Sequence, residues 1–233
     1  MFKKVIFNTG AQIIGKGITA SITLLVTLII GKTLGASGYG DYVKITVFVG
    51  YFYTLADFGL NAIYVKLTGE NDTKNLKTLI GLRAIIGITL ALLAILVGNL
   101  LPYNSALSTG FSPLVKTGIL IAVLTIVTQA LFTTTNAFYQ KNLRYDLSTI
   151  SAATSYIFVL ATAIFVALTT KSLLGYIAAY TVGGIVLVIT SLGIIAKRTK
   201  TIPTPSFKLE EFKKFLKPAW PVGVALIFNL IYF

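Results

Sequence analysis

Leu79–Leu101 reads LIGLRAIIGITLALLAILVGNLL, 23 residues with a single charge, Arg83, near the start. About 20 apolar residues rising 1.5 Å each cross roughly 30 Å of hydrocarbon. The run therefore reads as a transmembrane helix. Gly10–Gly31, Val43–Val65, Val115–Phe138, Leu147–Leu168 and Leu173–Ala196 meet the same requirement, giving six complete spans. Composition agrees: hydrophobic residues make up 55% of the 233 positions, charged ones 12%, and the mean hydropathy is +0.85. A soluble domain carries about twice that charged share, so the chain reads as an all-α, polytopic transmembrane bundle.

Turn chemistry separates the runs: Gly35 to Gly40, Gly69 to Asp72, Pro102 to Asn104 with Gly110 to Pro113, and Lys171-Ser172. Such short connections suit antiparallel neighbours. The first run is too long for the apolar core of a cleavable signal peptide, so it is expected to persist as a helix. Pro218 to Phe233 opens a seventh apolar run that reaches only about 24 Å as a helix and has no polar flank after it. The expected organisation is a six-helix lobe over 1–196, a polar connection over 197–217 and a truncated seventh span over 218–233, the N-terminal part of a longer chain. Within the connection, Leu209, Phe212, Phe215 and Leu216 share an arc of about 120°, with Ser206 placed to cap and Glu210-Glu211 at the positive end of the dipole, which predicts a short helix along the membrane interface.

Cytoplasmic loops are enriched in Lys and Arg. With the N-terminus inside, 15 of the 20 basic residues fall on the cytoplasmic side, Lys3, Lys4, Lys74, Lys141, Arg144 and Lys213 among them; Lys32, Lys44, Lys116 and Lys171 lie outside and Lys16 within the first span. This predicts a multi-pass protein of the plasma or inner membrane with a cytoplasmic N-terminus. The net charge of +13 belongs to these loops and to membrane lipids, not to a nucleic-acid-binding face. The chain has no Cys and no His, which removes thiolate and imidazole chemistry and zinc sites built on those ligands. No loop holds more than two close acids, so enzyme activity is not expected, nor is a cofactor.

Ionisable and amide side chains inside a span are costly and mark candidate sites. Lys16 and Asp57 lie at similar depth, roughly 9 and 12 Å from the cytoplasmic end, and Gln12 and Asn61, each four residues away, extend one polar face on each helix. Two readings are open for Lys16 and Asp57: a buried ion pair locking two helices, or the wall of a cavity in which Lys16 meets an anionic headgroup. Gln129, Thr133, Asn136 and Gln140 form a second stripe, serving either interhelical hydrogen bonding or a sugar-facing wall. Arg83 reads as a snorkelling residue or a ligand contact, and Asp41 with Lys44 as a weak surface pair.

The run Gly31-Lys32-Thr33-Leu34-Gly35-Ala36-Ser37-Gly38-Tyr39-Gly40-Asp41-Tyr42, followed by Leu55-Ala56-Asp57-Phe58-Gly59-Leu60-Asn61, resembles the opening of oligosaccharide flippases, the polysaccharide-biosynthesis branch of the superfamily that also holds multidrug and toxin extruders. Leu216-Lys217-Pro218-Ala219-Trp220-Pro221 is similar to the start of that family's second lobe. The resemblance implies the first lobe of a two-lobed transporter that moves lipid-linked oligosaccharide by alternating access, with the second lobe as its partner. It also implies basic residues for the carrier phosphate, for which Lys16 and Arg83 are the matching positions by region. The alternatives are a cation-coupled exporter of the same superfamily, which favours acidic and aromatic cavities, and a membrane accessory module without transport of its own. The resulting candidate cavity set is Gln12, Lys16, Asp57, Asn61, Arg83, Gln129, Asn136 and Gln140.

Overall fold

The computed structural model describes residues 2–107 and 109–232. Met1 and Phe233, the ends of the expected lobe and of the seventh run, lie outside the described residues, as do the side chains of Lys3 and Lys4. The elements are α1 (Phe2–Leu55), α2 (Leu60–Leu67), α3 (Thr73–Leu100), β1 (Tyr103–Asn104), β2 (Thr109–Gly110), α4 (Pro113–Ala122), α5 (Leu124–Lys141), α6 (Tyr145–Leu168), α7 (Leu173–Thr199) and α8 (Leu209–Tyr232). The two short strands pair antiparallel, Tyr103 opposite Gly110.

Among the described residues five helical regions are long and apolar enough to cross a membrane: Gln12–Leu67, Thr73–Leu100, Pro113–Lys141, Tyr145–Leu168 and Leu173–Thr199. The difference from the expected six lies in the first region, which carries the first two expected spans together over 56 residues. At 1.5 Å per residue such a length is more than twice a bilayer core. The turn expected over 35–40 shrinks to one residue: Gly35 adopts φ 68°, ψ −176° and the helix resumes at once, a conformation open to a residue without Cβ. Contacts on the two sides of Gly35 show where the chain goes. Gly15 lies against Thr149 in the first turns of α6. Beyond the break, Ile45 packs on Gly118 and Phe48 on Gly98, at the opposite end of the bundle. Val65 then accepts a hydrogen bond from Lys141 Nζ at 2.9 Å, back beside the start of α6. The chain leaves one end and returns to it.

The expected turns hold the caps. Asp72 Oδ1 accepts from the Asn75 amide (3.0 Å), Ser112 Oγ from Val115 (3.2 Å) and Ser172 Oγ from Gly175 (3.0 Å), each satisfying an orphan donor at a helix start; Pro113 follows Ser112 where its missing N–H costs nothing. At one end of the bundle Lys44 pairs with Asp41 (3.1 Å) and reaches the Gly110 carbonyl (2.9 Å), tying α1 to the β-hairpin.

Residues 200–208 lie along α3 at the other end. The Ser206 amide donates to the Lys77 carbonyl (2.9 Å), and α8 starts at Leu209. From there it runs unbroken through Pro218 and Pro221. Of the expected apolar arc, Phe212 and Phe215 are buried with Leu76, Leu79 and Tyr64, while Leu209 and Leu216 stay on the surface. The Thr78 hydroxyl donates to Glu211 Oε2 at 2.6 Å and holds that carboxyl below the usual carboxylate range, with help from Lys74.

Candidate substrate cavities and a buried ion pair

The span expected over Val43–Val65 is broken. Leu55 ends α1, a tight turn follows in which Phe58 (φ 42°) and Gly59 (φ 73°) are left-handed, and Leu60 begins α2. A break at this depth frees backbone carbonyls that lipid cannot serve. Arg83 on α3 adds a donor to the Asp57 carbonyl, which also accepts from the Leu60 amide at 2.9 Å. Its Nη2 donates to the Asp57 carboxylate at 2.5 Å, the Asn61 side-chain oxygen at 2.8 Å and the Asp57 carbonyl at 3.4 Å, and Nη1 reaches the Ala130 carbonyl at 3.4 Å. The guanidinium fork suits this convergence, since a compact ammonium cannot present donors in a plane to several acceptors at once.

Two expectations are corrected here. Asp57 is paired with Arg83 and not with Lys16, because the turn at 56–59 directs its carboxylate toward α3. Arg83 does not snorkel: its side chain is 0% exposed, closed to a ligand in this conformation. Asn61 does act with Asp57, across a turn and not along one continuous helix.

Lys16 sits elsewhere, exposed, with no ion pair to its ammonium among the described residues. It borders a cavity of about 340 Å³ walled by Gln12, Lys16 and Thr19 of α1, Phe132 and Asn136 of α5, and Tyr145, Ser148, Thr149 and Ala152 of α6. Spacings of four and three place Gln12, Lys16 and Thr19 on one helix face, and Gly15, lacking a side chain, lets α1 close against Thr149. Asn136 accepts from the Ser148 hydroxyl at 3.0 Å. The cavity combines a lone cation with amides and hydroxyls, which fits an anionic group flanked by hydroxyls.

The α5 stripe divides. Asn136 faces the Lys16 cavity, Gln140 is exposed beside Tyr145, and Thr133 bonds the Gln129 carbonyl of its own helix (2.7 Å). Interhelical hydrogen bonding belongs to a neighbouring face: Ser191 Oγ donates to Thr135 Oγ1 (2.6 Å), and the Tyr139 hydroxyl donates to the Ser191 carbonyl (2.8 Å). Gln129 lines a second, smaller space with Thr125, Ser155, Tyr156 and Tyr180. Thr125 and Tyr180 are shared with a chamber of about 370 Å³ bounded also by Thr46, Gly50, Tyr53 and Thr54 of α1. Sequence reasoning missed this chamber, although Thr46, Gly50, Tyr53 and Thr54 recur at i, i+4, i+7 and i+8, the spacing of one helix face.

Comparison with known proteins follows the same lines. A family described as polysaccharide biosynthesis protein matches residues 2–233. No curated protein matches the sequence. The fold is similar to a solved MOP superfamily transporter from Pyrococcus furiosus, with a TM-score of 0.67 at 15% identity over 97% of this chain and 52% of that one. The chain thus spans about half the length of that transporter.

Proposed function

Because the chain belongs to the polysaccharide biosynthesis protein family, we propose that it flips lipid-linked oligosaccharide across the cytoplasmic membrane by alternating access, for surface polysaccharide or glycan assembly. Gly35 divides the first helical region into two passes, so that 1–196 forms a six-pass lobe, 197–217 a connection and 218–233 the start of a seventh pass. A second lobe completes the transporter. The end bearing Lys74, Lys77, Lys141, Arg144 and Lys213 is cytoplasmic, as is the N-terminus, by the excess of basic residues there.

The observation that carries this reading is Lys16, without an ion pair among the described residues, in its amide-lined cavity near that same end. A cation kept at membrane depth without a carboxylate needs a counter-charge from elsewhere, and a lipid-carrier phosphate supplies it. Gln12 and Asn136 then meet the first sugar hydroxyls. Asp57, Asn61 and Arg83 support the lobe as a locked cluster beside the broken helix.

The test is complementation. The full-length gene is expressed in cells lacking their own glycan-lipid flippase, and surface polysaccharide is assayed. Restored polysaccharide, lost in Lys16→Ala at equal membrane abundance, is the expected result; full restoration by Lys16→Ala removes the headgroup site.

A further inference from the structure

We infer that the chamber bordered by Tyr53 and Tyr180 is a glycan-binding subsite distinct from the Lys16 cavity. This rests on the proposed flippase reading and adds where the sugar chain lies.

The two spaces adjoin along the same helices. On α5, Phe132 and Asn136 wall the Lys16 cavity, and Gln129, one turn from Phe132, walls the next space. On α6, Ala152 belongs to the first, Ser155 and Tyr156 to the second. One helical turn is about 5.4 Å, and this second space of about 20 Å³, with room for about one water, is a narrow neck that shares Thr125 and Tyr180 with the larger tyrosine chamber.

The chemistry changes along the seam. No Lys, Arg, Asp or Glu lines the tyrosine chamber or the space beside Gln129, so neither is built for an anion. Threonines here spend their hydroxyls on their own helices: Thr46 on the Tyr42 carbonyl (3.0 Å), Thr54 on Gly50 (2.9 Å), Thr125 on Ala122 (2.6 Å). The Tyr53, Tyr156 and Tyr180 hydroxyls and the Gln129 amide make no hydrogen bond among the described residues. Polar groups at membrane depth seek partners, and these four are left for a ligand or water. Neutral donors and acceptors beside aromatic faces match a sugar, whose C–H faces rest on rings while its hydroxyls take phenol and amide bonds.

The experiment uses the full-length protein in nanodiscs and two probes: the phosphate-free glycan released by mild acid from the lipid-linked pool of the source cells, and sugar-free polyprenyl phosphate. Two chamber variants, Tyr53→Phe and Tyr180→Phe, keep side-chain volume close to the original. They are expected to weaken the glycan at least tenfold and leave polyprenyl phosphate unchanged, with Lys16→Ala doing the reverse. Chamber variants that bind glycan like the wild type overturn the subsite, and the flippase reading survives if Lys16→Ala still loses polyprenyl phosphate. Loss of both probes in the chamber variants also overturns it, as a shared structural effect. A wild-type protein that binds neither probe overturns both readings.

Discussion

The Arg83 guanidinium, with none of its side chain exposed, meets the Asp57 carboxylate at 2.5 Å at the helix break between Leu55 and Leu60. Removing one partner of a buried pair leaves an uncompensated charge and costs about 3–5 kcal/mol. Asp57 is 38% exposed, so Asp57→Ala is predicted at the low end, about 3 kcal/mol, and Asp57→Asn at about 1–2 kcal/mol because an acceptor remains. Replacing both residues, Asp57→Leu with Arg83→Met, recovers most of the loss. Unfolding midpoints in detergent check this ordering, and equal midpoints for all variants contradict it.

Gly81 faces the Ser206 carbonyl so closely that any Cβ there collides with backbone. Gly81→Ala is predicted to push residues 200–208 off α3, breaking the bond from the Ser206 amide to Lys77. Overpacking of this kind costs about 1–3 kcal/mol. Limited proteolysis within 200–208 should quicken severalfold in the variant while α3 itself stays intact.

The Thr78–Glu211 contact makes the start of α8 pH-sensitive. The Glu211 carboxyl is held below its ordinary range by the Thr78 hydroxyl and nearby lysines. A carboxyl depressed in the folded state contributes stability that is present above its unfolded value and lost as pH falls through the folded one. Protection of residues 200–211 from protease is therefore predicted to persist at neutral pH and to fade only below the usual carboxylate range. Thr78→Val should move that fading upward in pH, and Glu211→Gln should abolish the pH dependence.

Hydropathy and turn chemistry were enough to read the apolar runs, because length and punctuation are local properties: Ser112-Pro113 and Ser172 cap helices where the reading placed their starts. Partners across helices were less legible. The depth of Asp57 can be counted along the chain, but which neighbour it faces depends on the turn at Phe58-Gly59, and Asp-Phe-Gly was submerged in the hydropathy of Val43–Val65. The two left-handed residues there redirect the carboxylate to Arg83. Gly35 shows the opposite case: a predicted six-residue turn became a single-residue break, since one glycine outside helical dihedrals suffices to redirect the axis. The tyrosine chamber gathers residues 53, 125 and 180 from three helices, and no short-range spacing announces such a meeting. Lys16, Gln12 and Asn136 line one cavity, whereas depth along the chain sets Lys16 beside Asp57.

The most direct test of the central claim is the initial rate at which the protein, reconstituted in vesicles, flips lipid-linked oligosaccharide from its source cells. A charge-assisted contact to phosphate is worth about 1.5–3 kcal/mol, or roughly 10- to 100-fold. Lys16→Ala is predicted to slow flipping by that factor, with Lys16→Arg retaining most of the rate; a Lys16→Ala protein that flips as fast as the wild type contradicts the account.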